Sequence, residues 1–277
     1  MVKNKKVIIV TPAGRTKCLE ILSNHIKKAG DMIDEWHLWV NTTEQSDIDY
    51  MEKLASENDF IRLKRVSPDH PMTRDWRQWN LHLFYEYCQE DAVYLRIDDD
   101  IVWIDKDAIK LLAIERLENN KPFIIYPNIL NNCLMSHLQT RMGNYPLEWG
   151  VPQYETYNEI SLKSADFFIK AHTQMLCDIQ DGNMDKYKYN KWILVNNEHH
   201  SITVSAFLNL GWRSGKIGDN DEIQLNIDIP KEIGVFNEVY GKALFVHWQY
   251  FYQREDLRNK GLDQDMFLED YLKLSNI

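Results

Sequence analysis

The sequence has little cysteine, no long apolar run and no excess of basic charge, and each shortage removes a class of protein. Its four cysteines, Cys18, Cys88, Cys133 and Cys177, are widely spaced and form no C-x-x-C pair. That argues against a zinc ribbon or a disulfide framework and for reduced, buried thiols in a cytosolic protein. No apolar stretch approaches the length of a membrane span. Lys3, Lys5 and Lys6 precede only Val7-Ile8-Ile9-Val10 before Thr11-Pro12, too short a core for a secretion signal. The expectation is a cytoplasmic protein without a transmembrane segment, any membrane association being peripheral. Acidic residues number 42 against 32 basic, a net charge of −10. A sequence-independent nucleic-acid binder needs a basic surface to displace counterions, so no nucleic-acid partner is expected. The first strand turn, Thr11-Pro12-Ala13-Gly14-Arg15, carries neither G-x-G-x-x-G nor G-x-x-x-x-G-K-[ST]. This speaks against a dinucleotide oxidoreductase and a P-loop NTPase.

What is present is an ordinary globular composition: 277 residues, 44% hydrophobic and 27% charged, enough for one large α/β domain or two small ones. No internal repeat or low-complexity linker divides it, which favours a single domain over 1–277. Residues 6–10 read as a β-branched strand, broken by the Thr11–Gly14 turn. A helix follows with Leu19, Leu22, Ile26 and Ala29 on one face and Gly30 at its expected stop. Residues 36–40 alternate as a second strand. Ser46 and Asp49 resemble a capping box opening a helix to about residue 57. Residues 60–63 suggest a third strand, 76–90 a helix with Trp76, Trp79, Leu83 and Tyr87 inward, 107–117 a helix and 123–126 a strand. With the strand at 93–97, this β/α alternation predicts a mostly parallel sheet covered by helices on both faces. Beyond it, 127–160 reads as a long functional loop region. Residues 161–179 and 202–210 read as helices, the latter stopped by Gly211. A late strand is expected at 244–248 and a terminal helix over 263–274.

The most informative feature is the acidic triplet Asp98-Asp99-Asp100, which ends the apolar run Val93-Tyr94-Leu95-Arg96-Ile97. Residues at that strand end face the crevice at the carboxyl edge of the sheet, where open α/β folds bind ligands. Three adjacent carboxylates repel one another unless a cation sits among them. Mg²⁺ and Mn²⁺ take oxygen ligands and are commonly shared with substrate phosphates. The plain alternative is a helix cap with solvated loop charge. It is weakened by Ile101-Val102-Trp103-Ile104, which follows at once.

Other candidates are less specific. Arg15, at a helix start, would suit a diphosphate, or is a surface residue. His247 lies in the apolar run Leu244-Phe245-Val246-His247-Trp248, where a packed core histidine is the plain reading and completion of a metal shell the functional one. Asp219, Asp221 and Glu222 form a second acidic cluster after the Gly211–Gly215 turn region. A carboxylate there could take a proton from an acceptor hydroxyl, or solvate a loop. Glu198-His199-His200 reads as a helix N-terminal charge and cap region rather than a metal pair. Aromatic residues crowd the second half: Tyr145, Trp149, Tyr154, Tyr157, Trp192, Trp212, Trp248, Tyr250 and Tyr252. Those at 145–157 suggest a sugar-stacking platform, the rest core.

Taken together, the βα-repeating first half, the Asp-x-Asp closing its fourth strand, the later acidic pair and the C-terminal histidine resemble nucleotide-sugar glycosyltransferases of the GT-A fold. The opening Val7-Ile8-Ile9-Val10-Thr11-Pro12 and the run Tyr94–Asp100 carry most of the likeness. The tail Gly241-Lys242-Ala243-Leu244-Phe245-Val246-His247-Trp248 with Tyr252-Gln253-Arg254 is similar to the closing segment of bacterial and viral glycosyltransferases. The resemblance implies a three-layer α/β/α sandwich, with residues 1–126 as nucleotide-binding half and 127–277 as acceptor-binding half. It implies Mn²⁺ or Mg²⁺, a nucleotide-diphosphate sugar donor with a UDP-sugar favoured, and a glycan or small hydroxyl acceptor. In that frame Asp100 and His247 bind the metal, and Asp98 contacts donor sugar or ribose directly or through the metal shell. Thr11, Pro12, Arg15 and Asp99 lie at the nucleotide, and Arg74, with Arg77, is assigned to the donor pocket only from its position before the metal strand. Asp221 or Glu222 is the base if the enzyme inverts the anomeric centre.

Three other readings remain. A sugar-nucleotidyltransferase usually carries a Gly-rich first turn followed by Arg and Lys, whereas this turn has one glycine. An aspartate-nucleophile phosphatase should carry its carboxylates on the first strand. A carbohydrate-binding protein on a degenerate transferase scaffold would need no metal or nucleotide.

Overall fold

The computed structural model describes residues 2–66, 83–154, 158–195, 198, 200–210, 217, 218 and 220–277. Several sequence-based expectations fall outside them: Arg74, Arg77, Trp76, Trp79, Tyr157, His199, the Gly211–Gly215 turn with Trp212, and Asp219.

The strands are β1 (Lys6–Ala13), β2 (Glu35–Val40), β3 (Ile61–Lys64), β4 (Ala92–Ile97), β5 (Ile101–Ile104), β6 (Ile125–Leu130), β7 (Lys191–Leu194), β8 (Val204–Phe207) and β9 (Asn237–His247). The helices are α1 (Thr16–Ala29), α2 (Gln45–Ser56), α3 (Ala108–Glu118), α4 (Cys133–Arg141), α5 (Glu159–Lys163), α6 (Ala165–Gln180), α7 (Asp221–Ile223), α8 (Ile229–Ile233), α9 (Phe251–Asn259) and α10 (Leu268–Ser275). One sheet runs β3-β2-β1-β4-β8-β6-β9-β5, with β7 also paired to β9. The pairs β1/β2, β2/β3, β1/β4 and β6/β9 are parallel, whereas β8 lies antiparallel to β4 and β6, and β5 and β7 lie antiparallel to β9. β1, β2, β3, β4, β6 and β9 therefore share one direction, giving the expected mostly parallel sheet with three reversed strands.

Helices cover both faces. On one, Leu19, Leu22 and Ile26 of α1, Met51 and Leu54 of α2, and Ile109 and Leu112 of α3 pack on Val7, Ile9, Leu38 and Leu95. On the other, Leu134 and Met135 of α4 and Leu225 and Ile229 near α7 and α8 pack on Ile8, Val10, Tyr94 and Phe207. The alternation of neighbours such as Ile8 and Ile9 between faces is the period-2 geometry of a strand buried on both sides. A third cluster joins α6 and α10 to Val102, Leu244 and Val246 beside β5 and β9. Among the described residues no helix is long and apolar enough to cross a membrane.

Several local expectations change. The stretch 202–210 contains β8 rather than a helix; Val204, Ser205, Ala206 and Phe207 are all buried between β4 and β6, so pairing overrides the local pattern. The stretch 127–160 is not one loop, since it completes β6 and contains α4, whose Asn132 side chain accepts from the Met135 N–H. The helix expected over 161–179 is two, because Ser164 caps α6 and ends α5. The Ser46/Asp49 capping box does not form; α2 begins at Gln45 after Glu44, without a side-chain cap. Glu198 and His200 start no helix, and His200 is fully buried and stacked on Tyr126. Gly30 does end α1, at φ 57°.

Candidate functional site

The acidic triplet forms the turn between β4 and β5. It is pinned from both sides: the Asp98 N–H donates to the Thr203 carbonyl at 2.8 Å, and the Trp248 N–H donates to the Asp100 carbonyl at 2.9 Å. The register Ile101↔His247 then places the end of β9 beside Asp100. A buried network fixes the chain just beyond β9. Asn131 Nδ2 donates to the Trp248 carbonyl at 2.7 Å, and Gln253 Nε2 donates to Asn131 Oδ1 at 2.9 Å and to the Ser161 carbonyl at 2.7 Å. Gln253 also closes the capping box of α9 with Tyr250.

Each aspartate has a different task. Asp99 is 2% exposed. Its Oδ2 accepts the Gly14 and Arg15 backbone N–H groups at 2.8 and 2.9 Å, and its Oδ1 accepts Arg15 Nε at 2.9 Å and Arg15 Nη2. With four donors on two oxygens, Asp99 ties the β1–α1 turn to the sheet and is not free to bind a donor. The same bonds occupy the Gly14 and Arg15 N–H groups of the first strand turn. Gly14 is required there, because a Cβ would meet the Asn41 carbonyl oxygen at 2.8 Å. Asp98 is held by Arg96, whose Nε donates to Oδ1 at 2.7 Å and Nη2 to Oδ2 at 3.2 Å. Burial raises the Asp98 carboxyl to about 6 against the pull of Arg96. Both oxygens of Asp98, placed at the metal by the resemblance, are thus engaged by Arg96.

Asp100 remains. It is buried, with Oδ2 3.2 Å from His247 Nε2 and 3.0 Å from Arg15 Nη1. Burial alone would raise its carboxyl, but Arg15 and His247 outweigh that and hold it well below the ordinary carboxylate range. Among the described residues, its Oδ1 and the Nδ1 of His247 are buried without a hydrogen-bond partner. An ionised carboxylate with an orphaned oxygen beside an imidazole is a donor pair that suits Mn²⁺ or Mg²⁺. Among the described residues no three His, Cys, Asp or Glu side chains converge as a metal cluster, so such an ion would complete its shell from substrate and water. The repulsion expected within the triplet is answered by two guanidinium groups, Arg15 and Arg96, and does not by itself demand a metal.

Asp100 and His247 line a cavity of about 300 Å³ with Glu222, Ser201, Thr203, Asn132 and Arg254. Phe251 and Tyr252, 64% and 47% exposed, also line it. Of the second acidic pair, Asp221 is buried and ion-paired to Arg96 at 3.1 Å. Glu222 reaches the cavity; burial first, then the Asp221 charge, pushes its carboxyl up to about 7. That is the range of a working general base.

The remaining expectations divide. Thr11 and Pro12 are buried in β1, and the Thr11 hydroxyl accepts from Trp36 Nε1 at 2.9 Å, facing the core instead of a ligand. Tyr145 is 1% exposed and packs on Trp149 and Phe167, so it is core and not a platform. Tyr154 is exposed but stacks on Trp192. Two residues received no role from the sequence. Arg96 is a lone charge inside a buried strand, a rarity that was itself a signal. Arg254 lines both this cavity and a second one of about 540 Å³ that reaches Arg15, and its Nε has no partner among the described residues.

No family model and no curated protein sequence matches this chain. Among solved structures it is similar to glucosyl-3-phosphoglycerate synthase from Mycobacterium tuberculosis in complex with Mn²⁺, uridine diphosphate and phosphoglyceric acid. That likeness has a TM-score of 0.49 and 13% identity, over 99% of this chain and 80% of that one. A mycobacterial protein gives 0.48 and 12%, over 94% and 76%. A CMP:2-keto-3-deoxy-manno-octonic acid synthetase complexed with CTP gives 0.45 and 9%, over 93% and 98%. At these scores neither activity nor residue roles are carried over to this chain.

Proposed function

We propose that the chain is a metal-dependent glycosyltransferase that moves a sugar from a nucleoside-diphosphate donor to an acceptor hydroxyl. The observation that carries this reading is the meeting, in one cavity, of the Asp100–His247 pair and Glu222. Asp100 and His247 would hold Mn²⁺ or Mg²⁺, which when bound neutralises charge on the departing diphosphate. Arg254, which lines the same cavity, adds positive charge for the charge that develops as the leaving group departs.

Glu222 is assigned as the base over Asp221. Asp221 is neutralised by Arg96, whereas Glu222 sits in the cavity with a carboxyl near 7. In the proposed step the acceptor oxygen attacks the anomeric carbon as its proton passes to Glu222. The bond from that carbon to the diphosphate oxygen breaks, and the nucleoside diphosphate leaves with the electron pair. Attack opposite the leaving group inverts the anomeric centre. Phe251 and Tyr252 at the cavity rim offer ring faces to an acceptor sugar, the task the sequence had suggested for 145–157. UDP-sugars are the first donors to test.

The test is nucleoside-diphosphate release from a panel of nucleotide sugars with Mn²⁺, for wild type and Glu222→Gln. The variant is expected to lose about 10²- to 10⁴-fold in turnover while binding donor normally. Undiminished turnover in Glu222→Gln would remove this residue from the reaction.

A further inference from the structure

We propose that Arg96 is a positioning residue which, from the end of β4, clamps Asp98 and Asp221 together and through Asp221 fixes Glu222 in the cavity. The inference rests on the assignment of Glu222 as base, and it joins the donor side of the site to the acceptor side through a single buried guanidinium.

Arg96 is 3% exposed. Its fork is fully engaged: Nε and Nη2 on Asp98 at 2.7 and 3.2 Å, and Nη1 on Asp221 Oδ2 at 3.1 Å and on the Tyr85 hydroxyl at 2.9 Å. Its Cζ lies 5.6 Å from the Phe84 ring centroid. A buried arginine is costly unless its charge and donors are satisfied, and here two carboxylates and a phenol satisfy them. The two carboxylates come from positions 123 residues apart (221 minus 98). One belongs to the turn that carries Asp100, and the other opens α7, where Glu222 is the next residue. The α7 segment runs into a π-helical turn, Gln224–Asp228, before α8. An ion pair at its first residue therefore sets where Glu222 points.

The charges facing Glu222 make the arrangement readable. Asp221 on its own helix and Asp98 raise its carboxyl, and Arg96 lowers it, under a larger effect of burial. Tyr126 of β6, Cys133 of α4 and Tyr250 at the start of α9 also face it but are neutral, their own groups pushed up by burial. Asp100, His247 and Arg254 share the cavity wall. The clamp then predicts opposite changes from its two members. Removing the Asp221 charge lowers the Glu222 midpoint, and removing the Arg96 charge raises it. These shifts report the charges that Asp221 and Arg96 place beside Glu222, and the positioning itself is read separately in kcat.

The experiment is a carboxyl-carbon NMR titration of glutamate-labelled protein, with the Glu222 signal identified by its loss in Glu222→Gln. Wild type is expected to titrate near 7. Asp221→Asn should shift the midpoint down by about half a unit or more, and Arg96→Met up by a similar amount. Arg96→Lys, which keeps the charge but cannot span both carboxylates with one fork, should leave the midpoint near wild type and lower kcat. In donor turnover, Asp221→Asn should reduce kcat and leave the donor KM unchanged. Should Arg96→Met not fold, Asp221→Asn and Arg96→Lys decide alone. An unmoved Glu222 midpoint in Asp221→Asn overturns the clamp, even in an active transferase. Paired shifts in a protein that transfers no sugar leave the clamp standing and remove the proposed reaction instead.

Discussion

Arg15 pairs with the other oxygen of the carboxylate proposed to hold a divalent cation, and removing it should tighten metal binding. Its Nη1 lies 3.0 Å from Asp100 Oδ2, and its side chain is 36% exposed. Two unit charges at about 4 Å interact by roughly 4 kcal/mol at an effective dielectric near 20. Solvent reaching a partly exposed guanidinium cuts this to about 1–2 kcal/mol. An incoming cation has to displace or share that contact, so its loss should improve Mn²⁺ affinity roughly 5- to 30-fold. Arg15→Ala alone also strands the buried Asp99 carboxylate, at a stability cost of about 3–5 kcal/mol. Arg15→Gln avoids this, since it removes the guanidinium charge alone, keeps a side-chain N–H donor for Asp99 and leaves the Gly14 and residue-15 backbone N–H groups on its Oδ2. Titration of the free-Mn²⁺ paramagnetic resonance signal gives the affinity without nucleotide. Affinity for a nucleoside diphosphate in the presence of Mn²⁺ should fall in the same variant. Mn²⁺ affinity equal to or weaker than wild type would show that Asp100 is not the residue over which the two cations compete.

Acid should weaken the fold through two neutral buried histidines. Burial, with Lys28 adding to it, lowers His25 to about 4, and burial lowers His172 to about 3. The unfolded chain binds these protons first, so stability is full above about 6.5 and falls as pH drops below it, by about 4 kcal/mol between pH 7 and 5 for the pair. The raised carboxyls of Glu222 and Asp98 act in the opposite sense over the same window. The check is therefore the difference in urea melts at the two pH values between wild type and His25→Gln or His172→Gln. Each variant should lose about 2 kcal/mol of the acid sensitivity, and an unchanged pH dependence would refute it. Gly14→Ala forces a Cβ against the Asn41 carbonyl oxygen; a loss of about 1–3 kcal/mol in a denaturant melt is expected, and a neutral result would contradict the tight turn. Gln253→Ala removes bonds to Asn131, Ser161 and Tyr250 from a residue that is 0% exposed. It should cost roughly 1–3 kcal/mol per group left unpaired, and an unchanged melt would remove the network from the account.

α2 was placed by a capping box that does not form, but the first half of the fold was readable because β1, α1, β2 and β4 carry their own signals. These are β-branched runs, a 3-to-4-residue apolar spacing, and Gly30 at a helix end. β5 and β8 were not readable, because each is four residues long and stabilised by partners distant in sequence: His247 for Ile101, and Leu95 for Ala206. The triplet was rightly singled out, but adjacency hid a division of labour. Only three-dimensional pairing shows Asp98 committed to Arg96, Asp99 to Arg15 and the turn, and Asp100 alone left with an orphaned oxygen. The same holds for Asp221 and Glu222. They are neighbours in sequence, yet one is neutralised by an arginine of β4 and the other faces the cavity.

The central claim is that Asp100 and His247 grip a cation that in turn grips a diphosphate. Its most direct test is the melting temperature with UDP alone, Mn²⁺ alone and both together, in wild type and Asp100→Asn. At a ligand concentration about 100 times the dissociation constant, binding to the native state adds roughly 2.7 kcal/mol, or about 5–10 °C for a chain of this size. The account predicts that rise only when both ligands are present and its disappearance in Asp100→Asn. No rise with any nucleoside diphosphate and Mn²⁺, or an equal rise in the variant, would contradict it.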